Sequence, residues 1–158
     1  MEALDAAIAA LEASPLGAAM RGQKGLYPAV SIAHVAGLVM LVGGIGVVDL
    51  RTIGLGRGVP LPALSRFLTP LAIAGLVLMA ASGLMLFSAD AGPLSRSPVF
   101  RTKVVLIAVA LANALIFRRL FGDFEHGREP PALARIMALG SLGLWSGAAV
   151  LGRLIAYS

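Results

Sequence analysis

The chain has 158 residues, 58% of them hydrophobic and only 13% charged, with a mean hydropathy of +0.90. Soluble domains carry about 25% charged residues, so this is membrane composition, and its length suits a single compact domain. Cysteine is absent, which excludes disulfides and thiolate chemistry, and the net charge of +5 comes from basic residues set singly or in pairs between apolar runs, the arrangement of helix-flanking charges rather than of a nucleic-acid interface.

The N-terminal stretch "MEALDAAIAALEA" opens on acids, with no basic region of the secretory kind. Leu4, Ala7, Ile8 and Leu11 repeat at helical spacing, with Glu2, Asp5 and Glu12 on the other face. A short amphipathic helix is expected, lying on a membrane surface or packed on the rest of the chain. Ser14 followed by Pro15 ends it and can cap a second short turn. Residues 1–25 read as an interfacial segment and 26–158 as the membrane domain.

A hydrocarbon core of about 30 Å needs about 20 helical residues. The spans expected are 26–48, 67–89, 99–120 and 136–158, giving an all-α, integral membrane four-helix bundle. Pro28 and Pro70 each fall in the first turn of the span so drawn. The third span is the shortest, with 14 uncharged residues between Lys103 and Arg118. Those residues rise roughly 21 Å, so the helix must begin near Val99, with Arg101 and Lys103 in its first turns and snorkelling outward. Small residues let membrane helices approach. Gly143 and Gly147 are spaced for helix packing or for a homodimer through that face.

The basic residues bias the orientation. Loops 49–66 and 118–135 carry Arg51, Arg57, Arg66, Arg118, Arg119, Arg128 and Arg135, against Arg21, Lys24, Arg96, Arg101 and Lys103 on the other side. Seven against five places both termini in the periplasm of a bacterial inner membrane. An acidic N-terminal helix agrees, since an anionic cytoplasmic leaflet repels it.

His34 is the only strongly polar side chain in the uncharged run 25–48. Tyr27, Ser31, His34, Gly37, Leu41 and Gly44 form one helical stripe, with the glycines making a notch below the imidazole. Lys103 enters at the same depth from the third helix. Arg153, with Tyr157 one turn beyond, comes from the fourth, and Met79 and Ser82 from the second. Intramembrane ionisable groups usually face a bundle interior and mark a site. The plainer alternatives are a histidine satisfied by a serine or a carbonyl, and cations that merely snorkel. An imidazole beside two cations, with Asp90 the only acid near, favours an anionic or metal-bearing guest. Haem b fits, with His34 as axial ligand and Lys103 and Arg153 at the propionates. Met79 is the candidate second ligand, because His126 lies on the opposite side. Copper on His34 and a methionine is the alternative, and no cofactor at all is the third.

Elsewhere, Asp49 and Arg66 are expected to pair across the first loop, Asn113 to hydrogen-bond between helices, and Trp145 to pack at mid-depth. CxxC, HExxH, GxSxG and phosphate-loop patterns do not occur, leaving hydrolase and nucleotide readings without support. The segments "SIAHVAGLVMLVGG", "LSRFLTPLAIAGLVLMAASGLMLF", "SPVFRTKVVLIAVALANALIF" and "LWSGAAVLGRLIAY" resemble small bacterial inner-membrane proteins of unknown function. More distantly the chain is similar to copper-resistance D-type membrane proteins and to the haem-dependent membrane protoporphyrinogen oxidase. In the oxidase a first-helix histidine and a third-helix lysine matter, which the resemblance carries to His34 and Lys103. The expected roles are electron transfer between quinone and a membrane or periplasmic partner, copper handling, or an accessory subunit of a larger membrane complex.

Overall fold

A computed structural model describes residues 2–121 and 129–155. Among these residues it contains seven helices and no strand: α1 (Glu2–Glu12), α2 (Pro15–Gly22), α3 (Leu26–Ile53), α4 (Leu61–Ala89), α5 (Ala91–Arg96), α6 (Pro98–Phe121) and α7 (Ala132–Leu154). Four of them, α3, α4, α6 and α7, are long and apolar enough to cross a membrane. Large apolar side chains cover their outer faces: Ile32 is 71% exposed, Phe67 77% and Ile136 65%. Soluble monomers rarely present such continuous apolar patches. This is a multi-pass membrane protein.

The long helices overrun the apolar windows that mark them. Hydropathy records where hydrocarbon begins, whereas a helix continues until its backbone is stopped. Gly54, at φ +117°, is what stops α3, in a left-handed conformation that favours glycine. Asp49 and Arg51 are therefore helical residues, not loop. The start of α4 is set by Pro60 and Pro62 rather than at Phe67. Pro70 consequently lies in the helix interior, not its first turn, and supplies no N–H to the carbonyl of Arg66. With 24 residues, α6 rises roughly 36 Å, enough to cross. Arg101 turns back to donate to the Ser95 carbonyl (2.8 Å).

At the N-terminus Ser14 caps α2, accepting from the Gly17 amide at 3.2 Å with Pro15 at the first helical position. Met20 of α2 is buried against Val30 and Ala89. Arg21 donates to the carbonyls of Ala89 (3.0 Å) and Glu12 (2.9 Å). Glu12 in turn accepts from the Gly92 amide at 2.7 Å, tying α1 to the short α5. The rest of α1 buries no residue, and Leu4 stays 66% exposed. Of its apolar stripe, Leu4 and Ala7 face out, whereas Ile8 and Leu11 are half-buried.

The crossings pack antiparallel. Gly37 meets Gly75, and Gly44 meets Leu68 and Ala72, so α3 and α4 approach backbone to backbone. Gly46 faces Leu142 across the α3–α7 seam, while Gly147 takes Leu106 and Asn113 donates to the Met137 carbonyl (3.1 Å) across α6–α7. The fourth side, α4 against α6, is the loosest. Phe87 and Phe100 stack across its end, centroids 5.2 Å apart. Leu41, Ala72, Ala110 and Trp145, one from each crossing helix, form the central cluster. The end of the bundle holding α1, α2 and α5 is the terminal end. The other, holding residues 54–60, is the loop end.

One expectation changes here. The Asp49–Arg66 pair does not form: Arg66 is exposed on α4, whereas Asp49 is buried and has Ser141 of α7 as its side-chain partner. Helical backbone through Asp49 turns it inward, toward α7, and away from the loop. Of the two glycines spaced for helix packing or a homodimer, Gly147 packs against Leu106 of α6 and Gly143 has nothing within 4 Å.

Candidate functional site

His34 sits two turns into α3, facing α4. Its Nδ1 is 2.9 Å from the Ser82 hydroxyl, and Ser82 itself lies 2.6 Å from the Leu78 carbonyl. Serine has one hydroxyl proton, and a carbonyl can only accept. That proton goes to Leu78, so the serine oxygen accepts from His34 and Nδ1 carries a hydrogen. In that arrangement Nε2 of the neutral ring keeps its lone pair, and the Met79 carbonyl is a second hydrogen-bond partner for the ring. A ring held this way is oriented as metal-ligating histidines are, with the non-ligating nitrogen donating to an oxygen.

Glycine makes the space. A Cβ on Gly83 would stand 3.2 Å from His34 Cε1, so the ring packs against α4 where no side chain intervenes. Lys103 is placed by the same device: a Cβ on Gly152 would lie 3.1 Å from its Nζ. The lysine stem passes over this glycine of α7 and is half-buried. Its ammonium and the imidazole are near enough to interact electrostatically. The structure thus brings His34, Ser82 and Lys103 to one level of the terminal end.

The other expected members differ in standing. Arg153 follows Gly152 at this level but is exposed. Ser31 is half-buried one turn from His34, and Tyr27, two turns away, is exposed. The notch expected below the imidazole is closed: a Cβ on Gly37 would be 2.9 Å from Met79 Cγ and equally close to the Gly75 carbonyl oxygen. Met79 fills the α3–α4 seam, one turn from Ser82 toward the loop end. Asp90 is exposed, and the acid that works at the terminal end is Glu12. Tyr157 and His126 lie outside the described residues. No group of three or more His, Cys, Asp or Glu side chains able to hold a metal occurs among the described residues.

Comparison with protein-family models, curated proteins and solved structures finds no match for this chain. None of the three links it to the copper-resistance or oxidase families.

The residues missed by sequence reasoning are Gly83 and Gly152. Both look like ordinary packing glycines, and their signal is positional: each lies at the depth of an ionisable side chain on the neighbouring helix.

Proposed function

We propose that this membrane protein binds one b-type haem at its terminal end and passes electrons between the quinone pool and a membrane or periplasmic partner. The observation that carries the reading is the 2.9 Å contact of His34 Nδ1 with the Ser82 hydroxyl, which supports a lone pair on Nε2, at the level of a half-buried lysine. His34 would supply the axial nitrogen and Lys103 a cation for a propionate, with Arg153 at the same level on the bundle surface. Haem would contribute a reversible one-electron couple. The protein's part is to hold the imidazole, screen it in a low-dielectric seam, and balance the carboxylates.

The charge tally supports placing the loop end in the cytoplasm of a bacterial inner membrane, with the haem toward the periplasm. A reporter fused at the C-terminus and active only in the cytoplasm should stay silent. The decisive experiment is an absorption spectrum of the detergent-purified protein, before and after dithionite. A Soret band that sharpens on reduction and disappears in His34→Ala is expected, with Lys103→Ala retaining less haem. A protein with neither Soret absorbance nor iron overturns the proposal. Stoichiometric copper in that protein, lost in His34→Ala, transfers the site to copper handling.

A further inference from the structure

At the opposite end of α3 lies a second polar group in a setting of its own. Asp49 is 6% exposed, one turn inside the end of the helix, and its Oδ2 has no hydrogen-bond partner. Ser141 of α7, 5% exposed, is the side chain placed to hydrogen-bond it. Thr52, also buried, gives its hydroxyl to the Val48 carbonyl at 2.8 Å. One turn along α7 from Ser141, Trp145 is buried with Nε1 unpartnered, so it supplies the carboxyl with no hydrogen.

The cations of this end are engaged elsewhere or turned away. Arg51 donates to the carbonyls of Val59 (2.7 Å) and Arg57 (3.3 Å). Arg57 and Arg135 face Glu129, at 4.0 Å and 2.9 Å, and Arg135 also donates to the Pro130 carbonyl. Arg66 on α4, and Arg118 and Arg119 on α6, are exposed. Among the described residues, no charge compensates Asp49.

An uncompensated buried carboxylate is far more costly than a buried neutral acid with one hydrogen bond. Two occupants could neutralise it, a metal cation or a proton. Hard divalent cations take six or more oxygens. Here a carboxylate and one hydroxyl are offered, on two unbroken helices whose carbonyls are already bonded. A proton needs a single oxygen. Ser141 suits that occupant, since a hydroxyl can accept from the acid and donate to the carboxylate.

We propose that Asp49 is a proton-binding site, its carboxyl carried as the neutral acid between α3 and α7 and exchanging with water at the loop end. In the exchange the O–H bond breaks, the proton passes to water, and the electron pair stays on the carboxylate, which then accepts from Ser141. Any movement of α7 against α3 is thereby coupled to proton uptake or release. This site does not depend on the haem reading and is tested on protein free of any guest.

The test is infrared spectroscopy in a detergent without ester groups. At neutral pH the folded protein should show the carbonyl stretch of a protonated carboxylic acid. That band should shift in heavy water and weaken as pH rises. It should be absent from Asp49→Asn, and in Ser141→Ala it should move to higher frequency because the hydrogen bond is gone. The Ser141→Ala arm decides the matter if Asp49→Asn does not fold. The proposal is overturned by a folded wild type lacking the band, by a band that persists in Asp49→Asn, or by a band unmoved in Ser141→Ala. Loss of the band in sodium or potassium chloride at constant pH would assign the site to a metal cation instead, and overturns it equally.

Discussion

Replacing Gly75 by alanine tests whether the α3–α4 seam is as close as its glycines imply. A Cβ there would stand 2.6 Å from both the Gly37 carbonyl oxygen and the Leu41 amide nitrogen, and 2.8 Å from Met40 Cβ. Two of these neighbours are backbone atoms, so no rotamer change relieves the overlap and the helices must part by roughly 1 Å to restore normal contact. Overpacking of this kind costs about 1–3 kcal/mol, against a helix-propensity gain of about 0.5–1 kcal/mol for losing a glycine. Gly43 on the partner helix α3 is the control, because a Cβ there meets nothing within 4 Å. Gly43→Ala should therefore keep the propensity gain alone. The two variants should differ by about 2 kcal/mol, roughly 30-fold in the unfolding equilibrium constant. Unfolding in mixed micelles of mild detergent and dodecyl sulfate, followed by loss of helical circular dichroism, reads this directly. If Gly75→Ala is as stable as Gly43→Ala, the close approach is wrong, and with it the closed notch beneath His34.

Ser82→Ala removes the acceptor that fixes His34, so nitrogen NMR of histidine-labelled protein should show its ring redistributing between tautomers; an unchanged tautomer refutes the orientation argument. Asn113→Leu deletes the bond to the Met137 carbonyl and should cost about 0.6 kcal/mol, with an upper bound of about 1.7 kcal/mol, in the same unfolding assay. Glu12→Gln weakens the charge-assisted bond to the Gly92 amide, and hydrogen exchange at Gly92 should accelerate while amides in α3 and α4 stay protected.

Three of the four crossings were readable because twenty-residue apolar runs have few competing explanations, and the remaining one, α6, by extending a 14-residue uncharged run past Lys103. The Ser14–Pro15 cap was equally legible, being a local chemical event between neighbours. Helix ends were less so: the stops at Gly54 and Pro60 lie outside the hydrocarbon, where hydropathy carries no information. Asp49 was misread for a related reason. Its separation from Arg66 looks like a pair across a loop, but three further residues of helix after Leu50 turn the carboxyl into the α7 seam. At the candidate site, His34, Lys103 and Ser82 could be placed at one depth by counting residues. Which faces met could not, because a helix dominated by apolar and small residues has almost no amphipathic signal to orient it. The proton arrangement on His34 needed the Ser82–Leu78 distance, which only coordinates supply.

The pairing of helices has a consequence for how the protein is made. Each of α3–α4 and α6–α7 is a hairpin of chain neighbours, and the α3–α7 seam is the main junction between them. The two hairpins can enter the bilayer one after the other, each satisfying its own contacts before the second docks. A gene split within α5 should therefore yield two polypeptides that find each other in the membrane, with Gly46 and Leu142 at the surface where they rejoin.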